Sequence, residues 1–264
     1  MRPGGPGRIT AFVSRQRRYG AGMDSQERIA ALEARVADLE RQLTAVADVQ
    51  AIERLQHQYG YYLDKCLYEE VVDLFAGGPA GEPEVRFLRG VYRGREGIRR
   101  LFLGRFMKRW AAGRNGPAYG HLLDHPQLQP VIHVAPDGLT AQGRFRTLMM
   151  LGVHESTAAT HEAGTFQRWE SALYENRYVK QDGGWRIAVI ELRHAWLCTY
   201  ERGWAYSPIW EDYVSVCYPD DPDGPDEIAA DDWRMWPDTR VLPFHYPHPV
   251  TGRWVRPTSG AAPE

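Results

Sequence analysis

Apolar residues recur at alternating spacings of three and four in the first part of the chain, a pattern typical of an amphipathic helix. The stripe begins at Ile29 and ends at Val46, and its spacing is that of a short coiled-coil seam. About two and a half heptads are marginal alone, so two interpretations stay open: the helix lies on its own domain, or it pairs between subunits. A second helical pattern covers residues 52–75 and ends at Gly77-Gly78-Pro79.

The pattern then changes from helical to extended. A short strand at 85–88 and a helix at about 96–110 come first, and the rest of the core is rich in β-branched and aromatic residues. Asp182-Gly183-Gly184 predicts a hairpin turn, because glycine adopts the positive φ angles of a tight reversal. Helices followed by long antiparallel strands predict an α+β fold. The expected long strands cover 122–134, 139–153, 166–180 and 185–196.

The two ends of the chain differ from the core in composition. The first 22 residues hold five arginines and no acid, so we expect 1–23 to be a disordered basic arm. Met23 precedes the helix-start pattern Asp24-Ser25-Gln26-Glu27, and whether translation begins at Met1 or Met23 stays open. We expect a helix over 24–48, an α+β core over 49–197, and an ordered aromatic and proline-rich extension over 198–264. That extension would cover the core or a neighbouring subunit.

Composition narrows the class of protein. The chain has 264 residues, of which 43% are hydrophobic, enough for a sizeable core. Its 32 basic and 34 acidic residues leave a net charge of −2, so we expect no nucleic-acid partner. The apolar runs are too short to cross a bilayer, and we expect no membrane association. Three scattered cysteines without a CxxC pair favour a reducing cytoplasm.

Several familiar cofactor and catalytic motifs are absent from the sequence. It has no GxGxxG, GxxxxGK[ST], HExxH or GxSxG, and we expect neither a cofactor nor a metal. His121 and His125 are four residues apart, but the flanking residues favour a strand, where this spacing does not form the helical metal pair. His245 and His248 lie among prolines and are predicted to pack in the tail.

The candidate acid–base groups begin on the first core helix. Tyr59, Tyr62 and Asp64 lie on or beside the helix face predicted to meet the sheet. A carboxylate beside an apolar face needs a partner, which is either a surface cation or a histidine that it polarises. His121 and His194 are the two candidate histidines, and each is equally well explained as a core histidine.

Two arginines on one strand are the candidate anion-binding groups. Arg144 and Arg146 share a face of the strand at 139–153; they bind an anion if that face lines a cavity and are merely solvated if it meets water. Tyr174 belongs to a similar row on the next strand. Sequence spacing alone does not choose which face is internal.

Six segments in order resemble the SnoaL-like branch of the nuclear transport factor 2-like superfamily, over about residues 49–196. The resemblance implies a cone-shaped barrel, in which a bent antiparallel sheet closes around a pocket plugged by N-terminal helices. The segments are QYGYYLD (58–64), VVDLF (71–75), YRGREGI (92–98), GHLLDHP (120–126), DGLTA (137–141) and GGWRI (183–187).

The same resemblance implies a reaction class. Members include polyketide cyclases, dehydratases and cofactor-free lyases that remove formaldehyde from lignin-derived diaryl compounds, and the chain looks most similar to the last group. The dehydratase residues fall on Tyr59, Asp64 and His121, and we expect Asp64 to orient His121 while Arg146 or Arg144 balances an anion. The other expected substrate-binding residues are Tyr62, Tyr174, His194 and Trp196.

The expected function is therefore an acid–base lyase for a small phenolic compound, which loses formaldehyde or water and yields a stilbene-type product. A polyketide-type cyclase or isomerase and a non-catalytic binding module on the same fold are the alternatives. The seam and the aromatic tail favour a homo-oligomer, either a dimer or a trimer.

Overall fold

A computed structural model describes residues 24–78, 81–160, 164–208, 214–230, 233–239 and 241–255. The predicted basic arm at 1–23 lies outside these residues, as do Trp210 and Tyr213 of the aromatic tail. The chain divides into two compact units, 1–47 and 48–264. Within the described residues, no helix is both long enough and apolar enough to cross a membrane.

The first element, α1, is one continuous helix over Ser25–Asp64, in which the two predicted helical patterns join. In the first unit its apolar stripe is exposed. In the second unit the helix buries Ile52, Leu55, Tyr59 and Leu63, whose spacings of three and four keep them on one face. Buried Asp48 accepts a hydrogen bond from Nε1 of Trp185 and forms an ion pair with Lys180. These two contacts attach this part of the helix to the sheet.

Eight strands form the sheet of the second unit, in the order β3-β5-β6-β7-β1-β2-β8, and β4 also pairs with β5. The hairpin between β6 and β7 reverses at Asp182 and Gly183, which both have positive φ, so that prediction is confirmed. The strands are β1 (Glu84–Phe87), β2 (Gly90–Arg93), β3 (His121–Asp124), β4 (Gln127–Val134), β5 (Thr140–Val153), β6 (Phe166–Gln181), β7 (Gly184–Thr199) and β8 (Glu227–Ile228).

The predicted α+β fold with N-terminal helices is confirmed, but the sheet is neither closed nor wholly antiparallel. It runs from β3 to β8 without joining its ends. Strands β1 and β7 are neighbours and run in the same direction, so this pair is parallel. An isolated bridge between Phe75 and Ile187 is parallel as well. The sheet is therefore mixed and open rather than wholly antiparallel, and it is compatible with the predicted cone shape.

The predicted helix at 96–110 is present as one helical segment with a π-helical centre. It consists of α3 (Gly94–Arg99), the π-helical turn Arg100–Phe106 and α4 (Met107–Ala111). Such wide turns inside helices are often found at functional sites. The remaining helices are α2 (Tyr68–Asp73), a 3₁₀ helix (Glu155–Thr160) and α5 (Gly203–Tyr206).

The acid-rich part of the C-terminal extension binds this helical segment through ion pairs. Asp223 contacts Lys108 and lies beside Gly104, where an added Cβ would come within 2.4 Å of its Oδ1. Glycine is therefore required for this close approach. Two further pairs join Arg105 to Asp221 and Arg100 to Asp226, and β8 adds to the sheet beside β2.

Candidate functional site

A cavity of about 640 Å³ lies between the inner face of the sheet and the helices of the second unit. Its walls combine aromatic and aliphatic side chains with ionisable groups from the sheet, from the helical segment and from the C-terminal extension. The aromatic side chains are Tyr59, Tyr68, Phe87, Phe102, Phe106, Trp110 and Tyr174. The titratable groups on the sheet are His121, His125, Arg168, Glu170 and His194.

Strand alternation places the polar groups of the cavity. His121, Leu123 and His125 are two residues apart along and just beyond β3, and all three line the cavity. On β6, Arg168 and Glu170 follow the same rule. The acidic and basic groups therefore share the inner face with apolar side chains, where solvent access is low.

The central contact of the site joins Asp64 to His125. Oδ1 of Asp64, the last residue of α1, accepts a hydrogen bond from the backbone N–H of His125 at 2.7 Å and lies 2.9 Å from Nδ1 of its ring. The two side chains are only 13% and 10% exposed. A carboxylate on Nδ1 fixes the tautomer and the orientation of the imidazole. Within the described residues Nε2 makes no hydrogen bond, so it is the nitrogen that can exchange a proton with a ligand.

The predicted pairing of Asp64 with His121 is wrong. Nδ1 of His121 lies 2.8 Å from the carbonyl oxygen of Trp110 instead. Asp64 meets the break between β3 and β4, where His125 lies, and four residues of strand place His121 about 13 Å further along. His121 still lines the cavity. The signal for His125 was present in the sequence, because residues i and i+4 of a strand share a face.

A second histidine–carboxylate pair lies on the sheet. Nε2 of His194 is 3.3 Å from Oε2 of Glu170, and these side chains are 5% and 8% exposed. Burial by itself would raise the pKa of Glu170, but the hydrogen bond and charge of His194, with Arg168 and His125, outweigh it and lower the pKa. The sequence predicts His194 as a site residue but not Glu170, although Glu170 shares its face of β6 with the predicted site residue Tyr174.

Two tyrosines add protonated hydroxyl groups to the cavity wall. Burial raises the pKa of Tyr59 well above its ordinary value, and the neighbouring Tyr174 and Asp64 raise it further. Burial also raises the pKa of Tyr174. Both phenols therefore stay protonated at neutral pH and can donate hydrogen bonds to a ligand. Their rings meet edge to face at 6.1 Å.

A chain of buried amides holds His125 and α1 in register with the sheet. Nε2 of Gln127 donates to the carbonyl oxygen of His125 at 2.6 Å, and Nε2 of Gln56 donates to Oε1 of Gln127 at 2.7 Å. Oε1 of Gln56 then accepts from Asn176 and from the Tyr178 hydroxyl. Each amide group forms hydrogen bonds through both its nitrogen and its oxygen. His125 is therefore held through its backbone carbonyl as well as through its contact with Asp64.

The two predicted anion-binding arginines lie on the outer face of the sheet. Arg144 pairs with Glu175 and donates to the carbonyl oxygens of Leu242 and Pro243 in the C-terminal extension. Arg146 is exposed. Phe145, the residue between them on β5, is buried in the core, and alternation turns both arginines to the opposite face. Their assignment to the cavity is therefore corrected: Arg168 lines it from the sheet, and Arg105 and Arg109 line it from the helical segment.

Trp196 and Tyr62 do not line the cavity. The β6–β7 register shifts between Ser171 and Ala172, which leaves Ala195 as an extra residue on β7. The bulge reverses the alternation, so His194 and Leu197 face the cavity. Trp196 instead packs against Trp204. Tyr62 is half-buried against the hydrophobic core.

No cluster of three or more His, Cys, Asp or Glu side chains that could hold a metal ion occurs in the described part of the chain. The histidines on the outer face of the sheet contact other side chains. His245 contacts Glu175 and His133, and His133 stacks on Tyr246. These contacts pack the extension against the sheet.

Comparison with solved structures gives matches of limited similarity. A candidate scytalone dehydratase from Novosphingobium aromaticivorans is 20% identical over 60% of this chain and 91% of its own, with a TM-score of 0.46. The hexachlorocyclohexane dehydrochlorinase LinA-type3 from Novosphingobium barchaimii is 18% identical over 60% and 93%, with a TM-score of 0.47. An NTF2-like protein with a cystatin-like fold from Novosphingobium aromaticivorans is 22% identical over 65% and 90%, with a TM-score of 0.39.

The family comparison covers more than half of the chain. No curated protein matches the sequence. The model of the SnoaL-like domain family matches residues 44–191, which include α1 from its middle onward, the Asp64–His125 contact, Glu170, and the strands up to the first half of β7. The chain therefore belongs to the SnoaL-like domain family.

Proposed function

We propose that this protein is a cofactor-independent lyase that acts on a small phenolic compound by acid–base elimination. The observation that supports the proposal is the Asp64–His125 contact at the wall of a cavity of about 640 Å³. An imidazole held by a carboxylate is the usual device for moving a proton near neutral pH. The low exposure of both groups strengthens electrostatic interactions with a bound substrate.

His125 is the proposed proton acceptor and Asp64 its positioning residue. Nε2 takes the proton of a substrate hydroxyl, and the carboxylate stabilises the imidazolium that forms. Tyr59, which stays protonated, donates a hydrogen bond to the oxygen on which charge develops. His121 and Tyr174 contact the substrate from the same wall.

The Glu170–His194 pair supplies the second proton transfer. An elimination needs one group that accepts a proton and another that delivers one to the leaving oxygen. His194, held by Glu170, delivers that proton, and Arg168 balances negative charge on the substrate in the role first expected of Arg144 and Arg146.

A phenolic substrate fits this set of groups. His125 takes the phenolic proton, electrons from the para oxygen expel a benzylic hydroxyl that leaves as water with a proton from His194, and a quinone methide forms. His194 then takes the proton of a neighbouring hydroxymethyl group, whose C–C bond breaks and releases formaldehyde. The electron pair of that bond forms the new alkene, and the proton held by His125 returns to the para oxygen and restores the phenol, so the diaryl product is a stilbene.

Mass spectrometry of products from a panel of phenolic dimers tests the proposal. The wild-type protein should release formaldehyde or water, and Asp64→Asn and His125→Gln should each lower turnover by ~10² to 10⁴. His248→Gln, at an exposed histidine of the extension, is the matched control and should retain turnover. Near-normal turnover of both cavity variants would overturn the assignment.

The two alternatives give different results in the same assay. A cyclase or isomerase converts a substrate without a change in mass. A binding module retains a ligand from the panel and returns it unchanged. Either outcome, with a substrate or ligand identified, would replace the lyase proposal.

A further inference from the structure

The N-terminal part of α1 carries an apolar stripe with no partner among the described residues. Its six members are 47% to 70% exposed, although large apolar side chains usually lie in a core. The stripe lies within the first unit and shares no residue with the cavity, so the inference drawn from it does not depend on the proposed reaction. The members are Ile29, Leu32, Val36, Leu39, Leu43 and Val46.

Spacings of three and four assign these residues to heptad positions. Ile29, Val36 and Leu43 take the a positions, and Leu32, Leu39 and Val46 take the d positions. The first two a residues are β-branched and the first two d residues are leucines. This combination favours two parallel strands over three or four.

Charged residues flank the stripe with opposite signs on its two sides. Arg28 and Arg35 occupy the g positions, and Glu33 and Glu40 occupy the e positions. In a parallel pair, a g residue faces the e residue five positions later on the partner helix. Arg28 then meets Glu33 of the other copy and Arg35 meets Glu40, which gives four attractive pairs in a symmetric dimer.

The antiparallel arrangement of the same helices is unfavourable. There g faces g and e faces e, so arginine meets arginine and glutamate meets glutamate. Within the described residues, Arg28, Glu33 and Glu40 make no ion pair inside their own helix. The intrahelical pairs of this region instead centre on Asp38 at the outer c position, which contacts Arg35 and Arg41.

We propose that residues 28–46 form a parallel, in-register, two-stranded coiled coil with a second copy of this chain. Burial of the apolar stripe stabilises the pair of helices. The flanking charges favour a second copy as the partner and a parallel orientation of the two helices. The seam is about 27 Å long at 1.5 Å per residue, which makes it short for a stable coiled coil by itself. We therefore expect a dimer whose population depends on protein concentration.

Charge reversal in the full chain tests the partner. Sedimentation velocity over a range of concentrations should show a dimer for the wild-type chain. E33R/E40R and R28E/R35E each place like charges at all four pairs and should raise the dissociation constant about tenfold or more. An equimolar mixture of the two variants should regain the association. The control D38R/R41E exchanges charges at the c and f positions and should dimerise like the wild type.

Disulfide capture tests the direction. In the parallel register, residue 32 lies opposite its own copy, so L32C chains should cross-link under mild oxidation with oxidised glutathione. In an antiparallel pair it lies opposite the region of residue 43, and no cross-link forms. The wild-type chain under the same conditions reports any cross-linking through Cys66, Cys198 or Cys217.

Each result decides for or against the proposal. A dimer that both reversal variants weaken and their mixture restores, together with L32C cross-linking, supports it. A monomer at all concentrations, an association that the charges do not change, a three-chain mass, or the absence of L32C cross-linking would overturn it. Circular dichroism of each variant shows that the helix is retained, so that unfolding is distinguished from dissociation.

Discussion

The inner and outer faces of β5 and β6 carry similar ionisable groups in different surroundings. On the inner face, Glu170 holds His194 at the wall of a cavity. On the outer face, Glu175 holds His245 and Arg144 beneath the C-terminal extension. β6 thus carries, on each of its faces, a carboxylate that is paired with a histidine from another part of the chain. Access to a ligand-sized space, rather than the pairing itself, separates a candidate catalytic group from a structural one.

The largest expected effect comes from removing one carboxylate on each face. Glu170→Gln should lower turnover on the substrate found by mass spectrometry by ~10² or more, because His194 loses the group that positions and charges it. Glu175→Gln should retain turnover within about twofold of the wild type while lowering the stability, because it leaves Arg144 without its carboxylate.

Steady-state kinetics and urea unfolding of both variants separate these effects. The pH profile of turnover should also change for Glu170→Gln and not for Glu175→Gln. Equal losses of turnover on the two faces would remove the distinction between them.

The next largest effect concerns stability on the outer face alone. Arg144→Met should lower the free energy of unfolding by about 2 kcal/mol, because it removes the ion pair with Glu175 and two hydrogen bonds to the extension. His245 still contacts Glu175 in this variant, so the carboxylate keeps a partner. Arg146→Met, two residues along the same face, is the matched control and should change it by less than about 0.5 kcal/mol, because Arg146 is exposed. Urea unfolding measures both. Similar losses would show that the extension does not shield the Arg144 pair.

Alkaline titration probes the inner face. Burial raises the pKa of Tyr59 well above its ordinary value, whereas the tyrosine of an unfolded chain ionises near pH ~10. The stability that this group contributes is therefore present below pH ~10 and lost as the pH rises above it. Between about pH 8 and about pH 11, Tyr59→Phe should lose about 1.4 kcal/mol less stability than the wild type.

Urea unfolding at the two pH values measures that difference. Tyr178→Phe is a second probe, because burial also raises the pKa of Tyr178 and this residue lies in the amide chain. Equal losses in Tyr59→Phe and in the wild-type protein would show that Tyr59 ionises as readily in the folded protein as in the unfolded one.

The smallest expected effect lies where the extension borders the inner face. Gly104→Ala should lower the free energy of unfolding by about 1 kcal/mol, because the new Cβ displaces the Asp223 carboxylate from its pair with Lys108. In an Asp223→Ala background the same change should become stabilising, since alanine favours a helix more than glycine does. A double-mutant cycle by urea unfolding checks the change of sign. The same sign in both backgrounds would contradict the contact.

Periodicity predicted most of the elements, because helices and strands bury apolar residues at fixed intervals. It predicted the long strands and the Asp182-Gly183 turn. Of the predicted site residues, Tyr59, His121 and His194 line the cavity. It left open which face of β5 is internal, since that depends on what packs against the strand. Arg144 and Arg146 were consequently assigned to the wrong side.

Two further differences had other physical causes. The extra residue at Ala195 reverses the alternation of β7 without a sequence signal, so Trp196 was expected beside His194. The choice of His121 over His125 depended on where α1 ends relative to β3, which is a tertiary distance. Neither a bulge nor a distance between remote elements follows from local pattern.

The amide chain beneath His125 limits how this part of the sequence can change in length. Gln56 accepts hydrogen bonds from Asn176 and Tyr178 of the sheet, and Asp64 contacts His125. Both ends of this short stretch of α1 are therefore held in place. One inserted residue between them would rotate Asp64 by about 100° relative to Gln56. Insertions and deletions within these two turns should therefore separate Asp64 from His125.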